Sequence, residues 1–328
     1  MRVIFMGTPD FAVETLMGLI QSQHEVILAV TQPDKPRGRG KEVSASPVKE
    51  AALKAGIEVY QPKQIKSPDS VQRLKDLQPD VIVVVAFGQI LSKEILDIPK
   101  YGCINVHGSL LPKYRGAAPI QWAVLNGDPI SGVTTMRMDE GLDTGDIIMK
   151  QEIVLEPDET AGSLFDRLQK TGAVLLLETL EALEDGSAVY TPQDEEKATK
   201  TRLINKKMGK MDFERPAEEL ERLVRGMNPW PSAYCNLSGK VLKVWKSAVA
   251  SKEEEQTCME HQRDYEKEGG QIHGGEWIGR IVCVTKYHIF AQTGKGILRL
   301  DEVQIEGKRR MSCEEFLRGY RVEEGMSL

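Results

Sequence analysis

The residues best suited to chemistry lie in the segment NVHGSLLPKYRGAAP, which spans positions 105–119. Asn105 and His107 stand two residues apart at the end of an apolar run, and a loop containing Gly and Pro follows at once. An amide and an imidazole can stabilise an oxyanion by donating hydrogen bonds, and a carboxylate can move protons or orient the imidazole. The acidic segment DEGLDTGD at 139–146 offers such carboxylates. These residue types indicate acyl transfer without a covalent intermediate, although an isolated Asn-x-His at a strand end is also typical of turn capping.

The sequence lacks the patterns of several other reaction classes. The segment GTPDF has one Gly where a dinucleotide-binding loop needs three, and no Ser lies in a G-x-S-x-G elbow. The nearest approach to a metal-binding motif is Cys258-x-x-His261, for which the sequence offers no convincing second pair. We therefore expect a reaction that needs no metal and that survives chelating agents.

Strand and helix patterns alternate along the first half of the chain and must position these groups. The strand patterns are RVIFM, EVILAV, IEVYQ, DVIVVVAF, GCINVH and GVTTMRM. Such alternation predicts a Rossmann-like, doubly wound parallel sheet of the α/β class. Ligands bind these sheets outside the carboxyl ends of the strands. The unusual polar segments at 7–9, 31–32, 87–89, 105–108 and 139–146 all follow a predicted strand, so we expect them to meet at one edge.

The composition changes after Val189, which predicts two domains joined by a linker. We assign residues 1–189 to a catalytic domain, 190–208 to a basic linker and 209–328 to a carboxy-terminal domain. The short strands and Gly turns of the last domain predict a small β-barrel or sandwich, of which we favour an OB-like barrel. Residues 251–276 are rich in Glu, Gly and Gln, and we interpret them as an exposed excursion from that domain.

Length, composition and charge limit the class of protein. A chain of 328 residues, 41% hydrophobic and 28% charged, is typical of a globular protein with two domains. No apolar run reaches membrane length and the five cysteines form no disulfide framework, so we expect a cytoplasmic protein without membrane contact. The net charge is −6, yet residues 34–41 carry four cations against one acid and 197–215 carry seven against two. Two basic segments in an acidic chain predict a site for a polyanion.

Several motifs resemble those of a known enzyme family. Asn105, His107, the SLLP segment at 109–112 and Asp143 within GLDTGD resemble the signature of enzymes that use 10-formyltetrahydrofolate. FMGTPDFAV, TQPDKPRGRGK and NPWPSAY more specifically resemble segments of the methionyl-tRNA formyltransferase family. The resemblance runs from residue 1 to about 250 and resumes at Gly279. Only the segment 251–276, which looks longer and more acidic than this family leads us to expect, departs from it.

The resemblance implies a reaction and a set of site residues. In that reaction 10-formyltetrahydrofolate gives its formyl group to the α-amino group of methionine on initiator methionyl-tRNA, for use in translation initiation. Asn105, His107 and Asp143 are the implied catalytic residues, and only the resemblance selects Asp143 from the neighbouring acids. The residues implied to surround the folate, largely through backbone groups, are Phe87, Gly88, Gln89, Ile90, Ser109, Leu110, Leu111, Pro112, Gly141 and Asp146.

The two basic segments are the predicted contacts for tRNA. Arg39 matches the position that reads the acceptor end in the family, and Arg37 and Lys41 are expected to contact the nucleic-acid backbone. Lys206 and Lys207, together with Lys210, are expected to contact phosphates, with solubilising charge as the alternative. We expect the enzyme to act as a monomer.

Three other functions remain open at this point. The nearest is another formyl-folate enzyme, such as a sugar-amine or glycinamide ribonucleotide formyltransferase or a formyl-folate hydrolase, for which the basic segments have no use. The second is a nucleotide-dependent oxidoreductase, which the missing glycines disfavour. The third is a non-catalytic RNA-binding module, which leaves Asn105, His107 and Asp143 without a role.

Overall fold

The computed structural model describes residues 1–37, 42–267, 269–270 and 276–328, with the backbone alone at 36, 37, 42 and 43. The chain divides into two compact units. The first unit comprises Met1–Ile120, Pro129–Leu155 and Ser163–Arg202, and the second comprises Gln121–Asp128, Glu156–Gly162 and Leu203–Leu328. No helix in the described part of the chain is long and apolar enough to cross a bilayer.

The elements that begin before Arg202 are eleven strands and six helices within the described residues. The strands are β1 (Arg2–Gly7), β2 (Glu25–Val30), β3 (Lys35–Arg37), β4 (Glu42–Ser44), β5 (Val59–Tyr60), β6 (Val81–Val85), β7 (Cys103–His107), β8 (Arg115–Gly116), β9 (Ile130–Arg137), β10 (Ile147–Val154) and β11 (Lys200–Thr201). The helices are α1 (Val13–Gln21), α2 (Pro47–Lys54), α3 (Pro68–Asp76), α4 (Lys93–Leu96), α5 (Pro119–Asn126) and α6 (Ala161–Asp185).

A seven-stranded sheet forms the centre of the first unit, in the order β10-β9-β7-β6-β1-β2-β5. The five strands from β7 to β5 are parallel, which confirms the predicted parallel α/β domain. The Val- and Ile-rich strand β6 is buried at every position, as expected for the middle of a parallel sheet. The chain leaves β1 for β2 on one side and later returns to β6 on the other. The topological switch point, where such sheets bind ligands, therefore lies between β1 and β6.

Two strands at one end of the sheet do not continue the parallel series expected from the sequence. Strand β9 is antiparallel to β7, and β10, which the sequence patterns did not reveal, is antiparallel to β9. Arg137 at the end of β9 consequently pairs with Ile104, near the beginning of β7. The loop 139–146 therefore starts beside the amino end of β7 and not at the common edge, yet its Asp143 still reaches His107 at the carboxyl end of β7.

Gly145 allows this loop to turn into β10. A Cβ atom at this position would lie 1.8 Å from the carbonyl oxygen of Arg137, so no larger residue fits without a backbone shift. By contrast, a Cβ atom at Gly18 in α1 would meet the Cβ of Ala173 at 3.6 Å, an ordinary van der Waals distance.

We expect Gly145→Ala to lower the free energy of unfolding by about 1–3 kcal/mol, the usual cost of forcing extra atoms into a packed site. The measurement is urea denaturation followed by circular dichroism. Gly18→Ala is the matched control and should unfold at or above the wild-type midpoint, because Ala favours helix over Gly. Equal midpoints for the two variants would contradict the proposed constraint.

The second unit contains an antiparallel sheet. Its strands are β12 (Ala233–Leu237), β13 (Lys240–Val249), β14 (Ile281–Val284), β15 (Ile289–Gln292), β16 (Ile297–Ile305) and β17 (Met311–Ser312), and its helices are α7 (Ala217–Gly226), α8 (Lys252–Lys267) and α9 (Cys313–Gly319). The strands pair in the order β12-β13-β16-β15-β14, with β17 also on β16. Helix α7 buries Leu220, Leu223 and Val224 and contacts β13 and β16. An antiparallel β domain is thus confirmed. Among the described residues, β12 and β14 are the two strands at the ends of its pairing order.

The segment that we interpreted as an exposed excursion contains the helix α8. The Ser251 hydroxyl accepts a hydrogen bond from the Glu254 amide at 3.2 Å, and the Glu254 carboxylate accepts one from the Ser251 amide at 2.8 Å. This reciprocal arrangement is a capping box, which satisfies the unpaired amides at a helix start. Most positions of α8 are exposed, in agreement with that interpretation, but it did not include a helix because it weighed the scarcity of apolar residues and not the Ser-x-x-Glu signal.

Candidate active site

Asn105 and His107 lie on β7 and point to the same face of the sheet, because side chains two residues apart in a strand share a face. The Oδ1 atom of Asn105 is buried and has no hydrogen-bond partner among the described residues. A buried amide without a partner costs stability, about 1–3 kcal/mol, so such groups are rare outside functional sites. Asn105 is therefore a polar group that the fold itself does not use.

The imidazole of His107 is buried and held in one orientation. Its Nε2 atom lies 2.9 Å from the carbonyl oxygen of Tyr114. A carbonyl can only accept, so Nε2 carries the hydrogen and Nδ1 is the nitrogen that remains available to gain or lose a proton. Nδ1 lies 3.8 Å from Oδ2 of Asp143. This distance is too long for a direct hydrogen bond and leaves the two groups to act through a bridging water or a substrate group.

Asp143 sits at the turning point of the loop 139–146 in a left-handed backbone conformation, with φ of 54°. Its Oδ2 atom accepts a hydrogen bond from the Gly116 amide at 2.7 Å. Asp139 shapes the loop, because its Oδ1 atom accepts from the Gly141 amide at 3.0 Å and from the Thr144 hydroxyl at 2.7 Å. Asp residues tolerate left-handed backbone better than most, which suits Asp143 to this position. The structure thus brings Asp143 to His107.

A second layer of side chains holds Asp143, and sequence reasoning missed it. Gln193 donates hydrogen bonds to the carbonyls of Asp143 and Gly145, both at 2.8 Å. The side-chain carbonyl of Gln193 accepts a hydrogen bond from Nε of Arg115 at 2.9 Å. Arg115 also forms a bidentate salt bridge with the Glu195 carboxylate, with distances of 2.7 and 3.0 Å. The hydrogen bond from Arg115 lowers the pKa of the Glu195 carboxyl below its ordinary value. Gln193 and Glu195 come from the segment predicted as a linker, where no local pattern marks them.

The SLLP segment is fixed to the sheet through its backbone. The Thr134 hydroxyl on β9 donates to the Ser109 carbonyl at 2.7 Å and accepts from the Leu111 amide at 3.1 Å. The Ser109 hydroxyl closes the turn by donating to the Lys113 carbonyl at 2.7 Å. The side chains of Ser109 and Leu111 are thus buried in the fold, while Leu110 and Pro112 are half-buried. Thr134 is a further positioning residue that the sequence did not reveal.

The segment 87–90 after β6 offers mainly backbone groups. The Phe87 ring belongs to the apolar core, and the Gln89 side chain bonds to the Ile65 amide at 2.7 Å and the Pro62 carbonyl at 3.1 Å. Gly88 has φ of 83°, and Ile90 is 82% exposed. Of the remaining predicted folate contacts, Gly141 is exposed and Asp146 is half-buried. The backbone carbonyl of Asp146 accepts a hydrogen bond from the Arg137 amide.

Two side chains tie the switch point together beside this segment. The hydroxyl of Thr8 donates to the Phe87 carbonyl at 3.0 Å, and the Gln32 side chain donates to the same oxygen at 3.3 Å. Thr8 does not cap the helix α1, which begins at Val13 and has no side-chain cap among the described residues. Its hydroxyl links the loops after β1, β2 and β6 instead.

The predicted tRNA contacts fall in different parts of the chain. Arg37 lies on β3, which pairs with β4 in a hairpin, while Arg39 and Lys41 lie outside the described residues. Lys206 and Lys207 form a 3₁₀ turn capped by Asn205, and both are exposed. Lys210, which follows that turn, is exposed as well.

The helix that carries Cys258 and His261 meets side chains from other segments in the structure. The ligand atoms of His261, Cys283 and Glu324 all lie within 4.8 Å of one another. Cys258 and Cys283 belong to the same buried cluster. Cys283 and Glu324 are distant in sequence from α8, so no spacing rule could have connected them. This cluster lies in the second unit, whereas Asn105, His107 and Asp143 belong to the first.

Comparison with known proteins identifies the family. Residues 1–180 match the family model described as formyl transferase, and residues 203–321 match that of the formyl transferase C-terminal domain. The methionyl-tRNA formyltransferase of Agathobacter rectalis is 57% identical over 99% of this chain and 98% of that protein. The chain belongs to the methionyl-tRNA formyltransferase family. The enzyme of the same name from Clostridioides difficile is 46% identical over the full length of both proteins.

Solved structures of other formyltransferases share the fold of this family member. One is a sugar 3N-formyltransferase, WlaRD, described with dTDP and 5-N-formyl-THF. The match covers 94% of this chain and 99% of that one, with a TM-score of 0.63 and 19% identity. Another is an N-formyltransferase from Helicobacter canadensis, described with folinic acid and dTDP-3-aminofucose. This match also covers 94% of this chain and 99% of that one, with a TM-score of 0.63 and 17% identity. At these identities the likeness concerns the fold alone.

We expect Gln193→Ala to lower kcat of this formyltransferase about 10- to 100-fold while the KM for folate changes little, because small displacements of a catalytic group cost that much in rate. Removing the amide releases the backbone carbonyls of Asp143 and Gly145 without touching a substrate. The measurement is steady-state formyl transfer.

Gln151→Ala serves as the control for that variant, since Gln151 is exposed on β10 and its side chain bonds only to the Glu152 carbonyl at 3.1 Å. If both variants show the same kcat as wild type, Gln193 does not position Asp143.

Proposed function

We propose that this chain transfers the formyl group of 10-formyltetrahydrofolate to the α-amino group of methionine on initiator methionyl-tRNA, at the face of the sheet bearing Asn105 and His107. In the reaction a bond forms between the amine nitrogen and the formyl carbon, and the bond from that carbon to N10 of folate breaks. The amine loses a proton and N10 gains one, so the step balances without a redox partner. The observation that carries the proposal is the convergence of Asn105, His107 and Asp143 in a chain of this family.

Asn105 is assigned to the oxyanion that develops on the formyl oxygen. Its amide is partly buried and unused by the fold, which supports a role toward a bound group. The Oδ1 and Nδ2 positions of an amide exchange by a flip of the group, so the side chain can present its donor to an oxyanion. One such donor is worth about 2.7–4 kcal/mol of barrier.

His107 and Asp143 are assigned to proton transfer. The contact between Nε2 and the Tyr114 carbonyl leaves Nδ1 to donate to the oxyanion or to pass a proton to the leaving N10. Asp143 faces that nitrogen at 3.8 Å, a separation that suits a water or the attacking amine held between the two groups. The Gly116 amide keeps the carboxylate in place throughout.

Folate is proposed to bind beside the switch point, against the loops after β6, β7 and β9. Backbone groups in these loops supply the polar contacts, since the side chains of Gln89 and Ser109 are engaged in the fold. The proposed folate contacts remain Phe87, Gly88, Gln89, Ile90, Ser109, Leu110, Leu111, Pro112, Gly141 and Asp146. The Ile90 side chain is 82% exposed and is therefore accessible to a ligand at this surface.

The tRNA is proposed to contact the basic hairpin and the basic segment at the start of the second unit. Arg39 is assigned to the acceptor end, and Arg37 and Lys41 are assigned to the nucleic-acid backbone beside it. Lys206 and Lys207, with Lys210, serve the phosphate backbone. The exposure of all three lysines supports this role, and no carboxylate forms a salt bridge with them in the part of the chain that is described.

The finer domain assignment is also a proposal. We assign residues 1–189 to catalysis, 190–208 to a linker and 209–328 to tRNA binding, with an OB-like barrel in the last. Register shifts in β13 around Lys246 and in β14 near Cys283 support a barrel, because bulges bend strands in that way. We propose that the protein is a monomer. We also propose that it is located in the cytoplasm, and the five unpaired cysteines support that location.

We expect Asn105→Ala and His107→Ala each to lower kcat about 100- to 1,000-fold while folate affinity changes little, because both groups act on charge present only in the transition state. Asp143→Asn should be similarly inactive, since proton transfer needs a carboxylate. Single-turnover formyl transfer and folate titration measure the two effects separately.

Asn236→Ala is the control, because Asn236 is exposed on β12 in the other unit. Equal losses of folate affinity and rate would assign Asn105 and His107 to binding. An active Asp143→Asn variant would show that another acid of the loop does the work.

We expect Arg39→Ala to reduce kcat/KM for methionyl-tRNA most when the first base pair of the acceptor stem is formed, because a mismatched pair opens at lower cost. Folate binding should be unchanged. Replacing Lys206 and Lys207 together by Ala should weaken all tRNAs alike and flatten the salt dependence, as loss of phosphate contacts does.

The measurement is kcat/KM across a salt series with tRNAs that have paired or unpaired first positions. Lys93→Ala is the control, since Lys93 pairs with Asp97 on the surface of the first unit. If Arg39→Ala leaves tRNA use and discrimination as in wild type, the hairpin does not read the acceptor end.

A further inference from the structure

Helix α8 presents an unusual set of side chains to the second unit. Cys258 is its one buried residue, and the half-buried positions at roughly one-turn spacing are Glu254, Glu255, His261, Gln262 and Tyr265. A helix usually docks on a sheet through a stripe of aliphatic residues, and most helical stability comes from such packing. The docking stripe of α8 contains no Leu, Ile or Val. It contains residue types that bind metals.

The residues that face this stripe complete the set. Nδ1 of His261 lies 2.6 Å from Oε1 of Glu324. A ligand atom of each of these residues lies within 4.8 Å of the Cys283 sulfur. Cys258, three residues before His261 and hence on the same side of the helix, packs in the same buried cluster as Cys283. Three separate segments therefore converge: α8, the strand β14 and the carboxy-terminal segment.

The backbone fixes the position of each segment independently of this cluster. The Gly325 amide donates to the Ile281 carbonyl at 2.8 Å, and the Ile281 amide donates to the Met326 carbonyl at 2.9 Å. These bonds hold the carboxy-terminal segment beside β14 and bring Glu324 close to Cys283. On the other side Cys258 and Cys283 belong to an apolar cluster with Phe290. The cluster is thus dry on one side and open to solvent at His261 and Glu324.

We propose that Cys258, His261, Cys283 and Glu324 bind one zinc ion that joins α8 to the β domain. Two thiolates, an imidazole and a carboxylate are a ligand set that Zn²⁺ accepts, and soft sulfur ligands exclude Mg²⁺ and Ca²⁺. Donors around a tetrahedral zinc are about 3.3–3.8 Å apart, which small side-chain rotations reach from the distances observed. Four protein ligands leave no open position, so this ion is structural and takes no part in formyl transfer.

The site is independent of the catalytic residues. Asn105, His107 and Asp143 belong to the first unit, and the cluster belongs to the second. We therefore expect zinc to stabilise the second unit and to leave the chemistry of the first unchanged.

The test uses the full chain, purified under a strong non-thiol reductant, treated with chelator and then titrated with Zn²⁺ or Co²⁺. We expect one ion per chain and a cobalt spectrum with the intense visible bands of tetrahedral coordination and a thiolate charge-transfer band. Zinc should raise the melting temperature of the wild-type chain. Each of Cys258→Ser, Cys283→Ser, His261→Gln and Glu324→Gln should bind zinc more than about 100-fold more weakly, since even indirect supports of a metal site cost 10- to 100-fold.

Two variants of the same residue types serve as controls. Cys235 is buried in β12 with its sulfur 3.7 Å from the Leu242 carbonyl, and His288 has a carboxylate partner of its own in Asp301 at 3.1 Å. Cys235→Ser and His288→Ala should bind zinc like wild type. His261→Gln and Glu324→Gln keep the size and polarity of the originals, so they test binding even if a cysteine variant folds poorly.

Several results would overturn the proposal. Absence of stoichiometric zinc in the reduced wild-type chain would do so, as would a cobalt spectrum without the thiolate band. Equal zinc affinity in the wild type and the four ligand variants would show that the ion binds elsewhere. An unchanged thiolate band in Cys258→Ser would exclude Cys258 as a ligand and overturn the four-ligand assignment.

Discussion

The buried guanidinium of Arg115 is the interaction on which the candidate active site depends. A charge taken out of water must be paired and hydrogen-bonded, and Arg115, with 2% of its surface exposed, satisfies this through Glu195 and Gln193. Gln193 in turn holds the backbone carbonyls of Asp143 and Gly145. A single electrostatic requirement thus fixes three segments that are far apart in the sequence, and the position of the candidate catalytic acid follows from it.

The same network maintains backbone conformations that these residues would not adopt alone. Tyr114 and Asp143 both have left-handed backbone, with φ of 61° and 54°. Such conformations cost about 1–3 kcal/mol each and persist only where the surrounding structure determines them. Here they aim the Tyr114 carbonyl at His107 and bring the Asp143 carboxylate to the Gly116 amide. The strain therefore serves to orient the imidazole and the carboxylate toward each other.

The second unit meets a different constraint, because its helix α8 has almost no apolar surface to bury. A capping box begins the helix, and ion pairs such as Arg299 with Glu254 at 2.8 Å hold it to the sheet. Exposed or half-exposed pairs of this kind contribute little on their own. Cys258 and His261 lie on this face, and the zinc ion that we propose there is the stronger link between α8 and the sheet.

Local patterns in the sequence determined a large part of this protein. The Val-rich strand β6, the parallel core and the pairing of Asn105 with His107 follow from periodicity within a few residues, and the family motifs cover the chemistry. The antiparallel direction of β9, the support of Asp143 by Gln193, and the meeting of His261 with Cys283 were decided only by the tertiary structure. Strand direction and the partners of buried polar groups depend on segments distant along the chain, which periodicity and motif spacing do not relate to one another.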